Sequence, residues 1–180
     1  MKGTVFVELL KMAEDAFGED VVDEILDEAD LSSGGAFTSV GNYPCSDLMK
    51  IVEGLSAHSG ISGEALQQKF GHWMMGHFGE KYPDSFVGKK NSMQMLEAID
   101  GEIHVEVRKL YPDAELPRFE MERVSDDHLR MVYTSPRPLQ AFCHGLIEAC
   151  VERFGEKASV EGTKDSAAKD STVFDIIYQR

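Results

Sequence analysis

Apolar positions repeat at helical spacing over the first two thirds of the chain and at strand spacing over much of the remainder. Val5, Leu9, Met12 and Ala16 mark one stripe, flanked by Phe6, Ala13 and Phe17, with Thr4, Glu8, Lys11 and Asp15 opposite; this predicts a helix over 2–17. Gly18 stops it, and Val21, Val22, Ile25 and Leu26 predict a short second helix on an acidic background. The Gly/Ser-rich stretch 30–43 reads as loop. Pro44 and Ser46 open a third helix carrying Leu48, Ile51, Val52 and Leu55. Ser62 opens a fourth, with Ala65 to Phe78 rich in aromatic residues and Met, which Tyr82-Pro83 breaks. Met93, Leu96, Ile99, Ile103, Val107 and Leu110 predict one further helix over 91–110, closed by Pro112 and Pro117.

After Pro117 the period changes to two. Phe119 and Met121 alternate with Glu120 and Glu122, Ser125-Asp126-Asp127 reads as a turn, and Leu129, Met131 and Tyr133 alternate again, which predicts a β-hairpin. Pro138 suits the first turn of a helix. Leu139, Phe142, Cys143, Leu146, Ile147, Cys150, Val151 and Phe154 follow at spacings of three and one. Lys157–Glu161 and Thr172–Tyr178 end the chain as two strands around a polar loop. The expected fold class is α+β: a helical N-terminal subdomain packed on a C-terminal ββαββ subdomain with an antiparallel four-stranded sheet. No flexible linker separates the parts, so 1–180 is expected to be one domain, with 1–60 as the N-terminal helical subdomain and 61–180 as the remaining helices and sheet.

Composition narrows the possible partners. The 180 residues include 18 Lys+Arg and 32 Asp+Glu, for a formal charge of −14, and a 42% hydrophobic share argues against disorder. Such a surface repels phosphate backbones and anionic lipid headgroups, so neither nucleic acid nor membrane is expected as a partner. No apolar run approaches the roughly 18 residues of a membrane span, and Glu8 interrupts any signal-peptide core. Cys45, Cys143 and Cys150 form no Cys-x-x-Cys pair, which fits a reducing, cytoplasmic location and no disulfide framework. Nine acids and no base lie between Glu14 and Asp30. They read either as a solvated helix face or as a docking surface for a basic partner.

No phosphate loop, nucleophile elbow, His-Glu-x-x-His or dinucleotide fingerprint occurs, and no enzymatic turnover is expected. Among the six histidines no pair has i,i+4 spacing, so a zinc site is not expected. His72 and His77 point to different faces of their helix. His104 borders the apolar stripe of its helix, beside Ile103 and one turn from Val107. An imidazole entering an apolar cavity is costly unless something uses its lone pair. Haem iron would use it; a plain helix-edge position would explain it equally well. Tyr133, Ser135 and Arg137 alternate along a strand and can share a face, where a phenol, a hydroxyl and a guanidinium could hold two neighbouring carboxylates. Ordinary polar residues at a strand end are the other reading.

Taken in order, the opening Met1-Lys2-Gly3, the run Asp20–Glu24, a histidine followed thirteen residues later by Pro117-Arg118, then Tyr133, Ser135, Arg137 and Gly145-Leu146-Ile147-Glu148 resemble the H-NOX (haem nitric oxide/oxygen binding) family. The family includes the haem domain of soluble guanylate cyclase and stand-alone bacterial gas sensors. The resemblance spans essentially the whole chain. It implies a b-type haem between the two subdomains, His104 as the proximal iron ligand, Tyr133, Ser135 and Arg137 as the propionate clamp, and Pro117 pressing on the porphyrin. It also implies a distal pocket lined by Val5, Leu9, Met74, Phe78, Phe142 and Leu146.

O2-binding members of the family carry a distal tyrosine where this chain has Phe142. Bound O2 carries partial negative charge and needs a hydrogen-bond donor, whereas NO does not. The resemblance therefore implies a sensor that binds NO and CO and excludes O2. It would signal by release of His104 and relaxation of the haem against Pro117, towards a separate histidine kinase or cyclic-di-GMP enzyme. Some relatives carry a C-terminal Cys/His zinc cluster, but residues 151–180 contain neither residue type, so no zinc is expected. An O2-binding or redox haem protein and a cofactor-free interaction module are the readings from other classes.

Overall fold

The computed structural model describes residues 1–166 and 168–179. Helix α1 (Gly3–Phe17) is joined to α2 (Glu19–Glu28) by Gly18, whose φ of 91° lies in the left-handed region that favours glycine. After the loop come α3 (Cys45–Ser59) and α4 (Gly63–Lys81). Ser62 caps α4 by accepting the Ala65 N–H at 3.2 Å. The α2 acids Glu19, Asp20, Asp23, Glu24, Asp27 and Glu28 are exposed, while Val22 and Ile25 are buried against the other helices. No helix among the described residues is long and apolar enough to cross a membrane.

The stretch predicted as one helix over 91–110 is three segments. Asn91 caps α5 (Ser92–Glu97) through the Gln94 N–H at 2.9 Å; a π-helical turn (Ile99–Ile103) follows, and then α6 (His104–Leu110). Apolar spacing of three and four continues through this stretch of sequence, so periodicity does not register the widening; beyond it α6 buries no residue and Leu110 is exposed. The Ile103 N–H reaches back five residues to the Ala98 carbonyl at 3.3 Å.

Strands β1 (Arg118–Ser125) and β2 (His128–Thr134) form the expected hairpin, with the register shifting between Arg123 and Ser125 beside the turn. Helix α7 (Gln140–Arg153) leads to β3 (Ala158–Lys164) and β4 (Ser171–Tyr178). The sheet is antiparallel throughout, in the order β1-β2-β4-β3, so the fold is α+β as expected. Pro138 lies just outside α7 rather than in its first turn, since the helix begins at Gln140.

The buried apolar residues fall into two clusters. One joins α1–α4 with Leu139 and includes Phe6, Leu9, Leu48, Phe70 and Met74. The other joins α5, α7 and the sheet and includes Met95, Leu96, Leu129, Met131, Ile147 and Phe174. Helices α4 and α7 link them, packing so closely that a Cβ at Gly145 would lie 2.0 Å from the Gln68 carbonyl oxygen, and one at Gly71 2.4 Å from that of Phe142.

Candidate functional site

His104 is the first residue of α6, placed by the π turn that precedes it. Its Nδ1 lies 2.8 Å from Asp100 Oδ1, one turn back. The other oxygen of Asp100 accepts the Phe119 N–H of β1 at 3.2 Å, so one carboxylate fixes both the imidazole and the edge of the sheet. A carboxylate on Nδ1 favours the tautomer with the proton there and leaves the Nε2 lone pair free. Burial holds the His104 pKa below its ordinary value, against the opposing pull of Asp100, so the ring is neutral near pH 7. The ring packs 5.6 Å from Phe119, and only 12% of the side chain is exposed. Nothing among the described residues hydrogen-bonds Nε2. A mostly covered, neutral, oriented imidazole of this kind has the chemistry that a metal ligand needs.

Val5 and Leu9 from α1, Met74 and Phe78 from α4, and Phe142 and Leu146 from α7 all belong to the first cluster. Leu9 and Met74 are fully buried, and Phe142 lies against Phe70 at 5.0 Å. All six therefore lie in one apolar cluster, although they come from three separate helices. A buried acid on α1 joins two of these helices. Glu8, 5% exposed, accepts from Trp73 Nε1 at 3.1 Å and from Lys11 Nζ at 2.7 Å, with His77 Nδ1 at 3.4 Å. It thereby fastens α1 to α4 beside Leu9 and Met74. Burial opposes the charge on Glu8, but the hydrogen bonds from Lys11 and Trp73 and the nearby His77 outweigh it and hold the pKa below the ordinary glutamate value.

Tyr133, Ser135 and Arg137 lie together, but not as alternating residues of one strand. Strand β2 ends at Thr134; Ser135 extends it through an N–H bond to the Asp170 carbonyl at 3.0 Å, and Arg137 sits in the bend beyond. The Arg137 N–H donates to Ser135 Oγ at 3.2 Å, which folds the bend back on the strand. Tyr133 and Ser135 are buried. Burial pushes the Tyr133 phenol up to about 12, against the Ser135 hydrogen bond and the Arg137 charge. The Arg137 guanidinium donates to the Glu115 carbonyl at 2.7 Å and carboxylate at 2.5 Å, which fastens it to the loop that carries Pro117. Pro117 is half-buried just before β1.

A haem asks for one neutral nitrogen donor, apolar walls on two sides and cationic or hydroxylic groups at one edge. The residues fit. His104 offers the nitrogen beside Phe119 of the second apolar cluster, which also holds Ile99, Ile103 and Tyr133; the first cluster offers a further apolar surface, and the Tyr133–Ser135–Arg137 bend offers hydroxylic and cationic groups. Val5, Phe78, Phe142, Leu146, Ile103 and Pro117 are each only partly covered by protein atoms. Asp100, Glu8 and Glu115 were not singled out from the sequence. Only Asp100 had a legible signal there, its four-residue spacing from His104.

The Haem-NO-binding family profile matches residues 2–162. Among solved structures, the Fe(II) unliganded H-NOX protein from K. algicida is 34% identical, with a TM-score of 0.94 over 100% of this chain and 97% of that one. The H-NOX from Shewanella woodyi, solved with IWP-051 in the Fe(II)CO ligation state, is 36% identical, with a TM-score of 0.84 over 98% and 94%. An H-NOX protein from S. oneidensis in the Fe(II)NO ligation state shares the fold, with a TM-score of 0.90 over the whole of both chains at 23% identity. No curated protein sequence matches the chain. With a family match over nearly the whole length and solved relatives above 30% identity, the chain belongs to the Haem-NO-binding (H-NOX) family, and its cofactor is haem.

Proposed function

We propose that the chain is a gas sensor that binds NO and CO at ferrous b-type haem, excludes O2, and signals to a separate protein. The observation that carries the reading is the pairing of a free, neutral His104 Nε2 with a wall of six apolar side chains that offers no hydroxyl. His104 holds the iron through Nε2, and Tyr133, Ser135 and Arg137 hold the propionates. When bound, the haem would supply a ferrous centre able to take up diatomic gases.

Phe142, Leu146, Met74, Leu9, Val5 and Phe78 exclude water and leave a gas without a donor. Such a site penalises O2, which needs a hydrogen bond to its partial charge, and leaves NO and CO unaffected. On α4 the Trp73 indole N–H donates to Glu8, and His77 Nδ1 lies 3.4 Å from the same carboxylate. His104 is the residue that would hold the iron, with its imidazole oriented by Asp100, and α6 and the Pro117 loop are the segments through which a change at the iron would be passed on. The residues of 1–60 then shift relative to the sheet, a two-state element biased by ligand. A histidine kinase or a cyclic-di-GMP enzyme in the cytoplasm would read that shift; no zinc, nucleic acid or membrane enters the scheme, and the chain itself turns nothing over.

Spectra of the purified ferrous protein test the reading. NO and CO should each move the Soret band, and air should give no stable oxygen complex. Phe142→Tyr, which adds a phenol to the apolar wall, is the first substitution expected to create one. A stable oxygen complex in the unsubstituted protein would reassign it as an O2 carrier or redox protein.

A further inference from the structure

The loop from Tyr111 to Pro117, between α6 and β1, is fastened from outside by few groups. Among the described residues its side chains and carbonyls take ion pairs or hydrogen bonds from three partners: Arg137 on Glu115, and Lys2 and Asn42 on Asp113. Lys2 Nζ lies 2.9 and 3.2 Å from the two oxygens of Asp113, and Asn42 Nδ2 lies 2.7 Å from the second. The Lys2 ammonium also stands 4.9 Å from the centre of the Tyr111 ring. An ordinary surface ion pair is worth little. Here the lysine side chain is only 16% exposed, the carboxylate has a third donor and the cation has an aromatic face, so the contact is a network. These partners keep the Asp113 carboxyl below its ordinary pKa and charged at neutral pH.

Both partners of Asp113 belong to one rigid piece of backbone. Lys2 and Asn42 pair as an isolated antiparallel bridge. Gly3 N–H bonds the Gly41 carbonyl at 2.8 Å, Tyr43 N–H bonds the Met1 carbonyl at 2.9 Å, and the terminal ammonium bonds the Tyr43 carbonyl at 2.8 Å. Gly3 opens α1 so close to this loop that a Cβ on it would meet the Thr38 carbonyl oxygen at 1.8 Å. Residues 1–3 and 38–43 therefore move with the base of α1, which carries Val5 and Leu9.

We propose that Asp113 is a relay, tying the Pro117 loop through Lys2 and Asn42 to the start of α1 and so delivering movement of Pro117 to the N-terminal helices. Asp113 and Glu115 bracket the loop: the first is held by the N-terminal part, the second by Arg137 at the polar edge of the site. Asp113 and Pro117 are four positions apart, a span of about 14 Å at most. The relay rests on the reading of Pro117 as the residue that presses on the haem.

Amide hydrogen exchange in the holoprotein, with and without NO, tests it. In the gas-free ferrous protein, Asp113→Asn and Lys2→Met should each speed exchange of the Gly3 and Tyr43 amides about fivefold. The double variant should do much less than the sum of the two single changes, because both break the shared Lys2–Asp113 pair. The change that NO causes at these amides in the unsubstituted protein should shrink in all three variants, while the Soret band and the NO spectrum stay the same. Approaching the contact from both sides keeps the test open if one variant folds poorly. An NO response retained in full by the variants overturns the relay alone. The absence of any NO response in the unsubstituted protein overturns the relay together with the movement in the proposed function.

Discussion

At the scale of single residues, the site depends on a carboxylate that holds a histidine. Apolar spacing placed His104 at the border of a helical stripe, which fits a ligand and an idle edge residue equally well. What separates them is the Nδ1 contact to Asp100, and that depends on the π turn between the two residues. Sequence periodicity does not register such a turn, and the Asp-x-x-x-His spacing gains meaning only once the ring is seen to be mostly covered. Asp100→Asn should make His104 a poorer donor, lowering the iron–histidine stretching frequency in resonance Raman spectra and weakening haem retention about tenfold. An unchanged frequency would show that Asp100 supports only the Phe119 backbone. The Tyr133–Ser135–Arg137 group was legible as a set, but its geometry was not, because an Arg137-to-Ser135 turn takes over where the strand stops.

Among the elements, α1, α2 and α3 were legible because each buries a clear stripe, whereas α6 buries none and the mutual fastening of the helices was not legible. Glu8 reads in sequence as one more exposed acid on the polar side of α1. Its burial becomes evident only once α4 brings Trp73 and His77 against it. The folded pKa of Glu8 is depressed, so its contribution to stability is present above the unfolded glutamate value and is lost as the pH falls through the lower folded value. Glu8→Gln should therefore cost about 1–2 kcal/mol in urea unfolding at pH 7. The difference should narrow as the pH drops below 4.5, the ordinary glutamate value. A penalty of the same size at neutral and acid pH would mean that shape, not charge, joins α1 to α4 there.

For the molecule as a whole, the alternation of helical and strand spacing was enough for the α+β class and the sheet. The division of the core into two clusters was out of reach, since every residue in both is simply apolar in sequence. Lys2 and Asp113 lie 111 positions apart, and nothing local in either segment announces their pairing. The acidic face of α2 stays exposed in the fold, consistent with solubility and with docking alike. That division of the core, with one neutral histidine beside it, is the physical basis for placing a haem there. The absorption spectrum of haem-replete ferrous protein, recorded beside that of His104→Gly, tests this most directly. A Soret band that is lost or strongly shifted in the variant is the result expected; no Soret band in the unsubstituted protein, or an identical band in both, would contradict it.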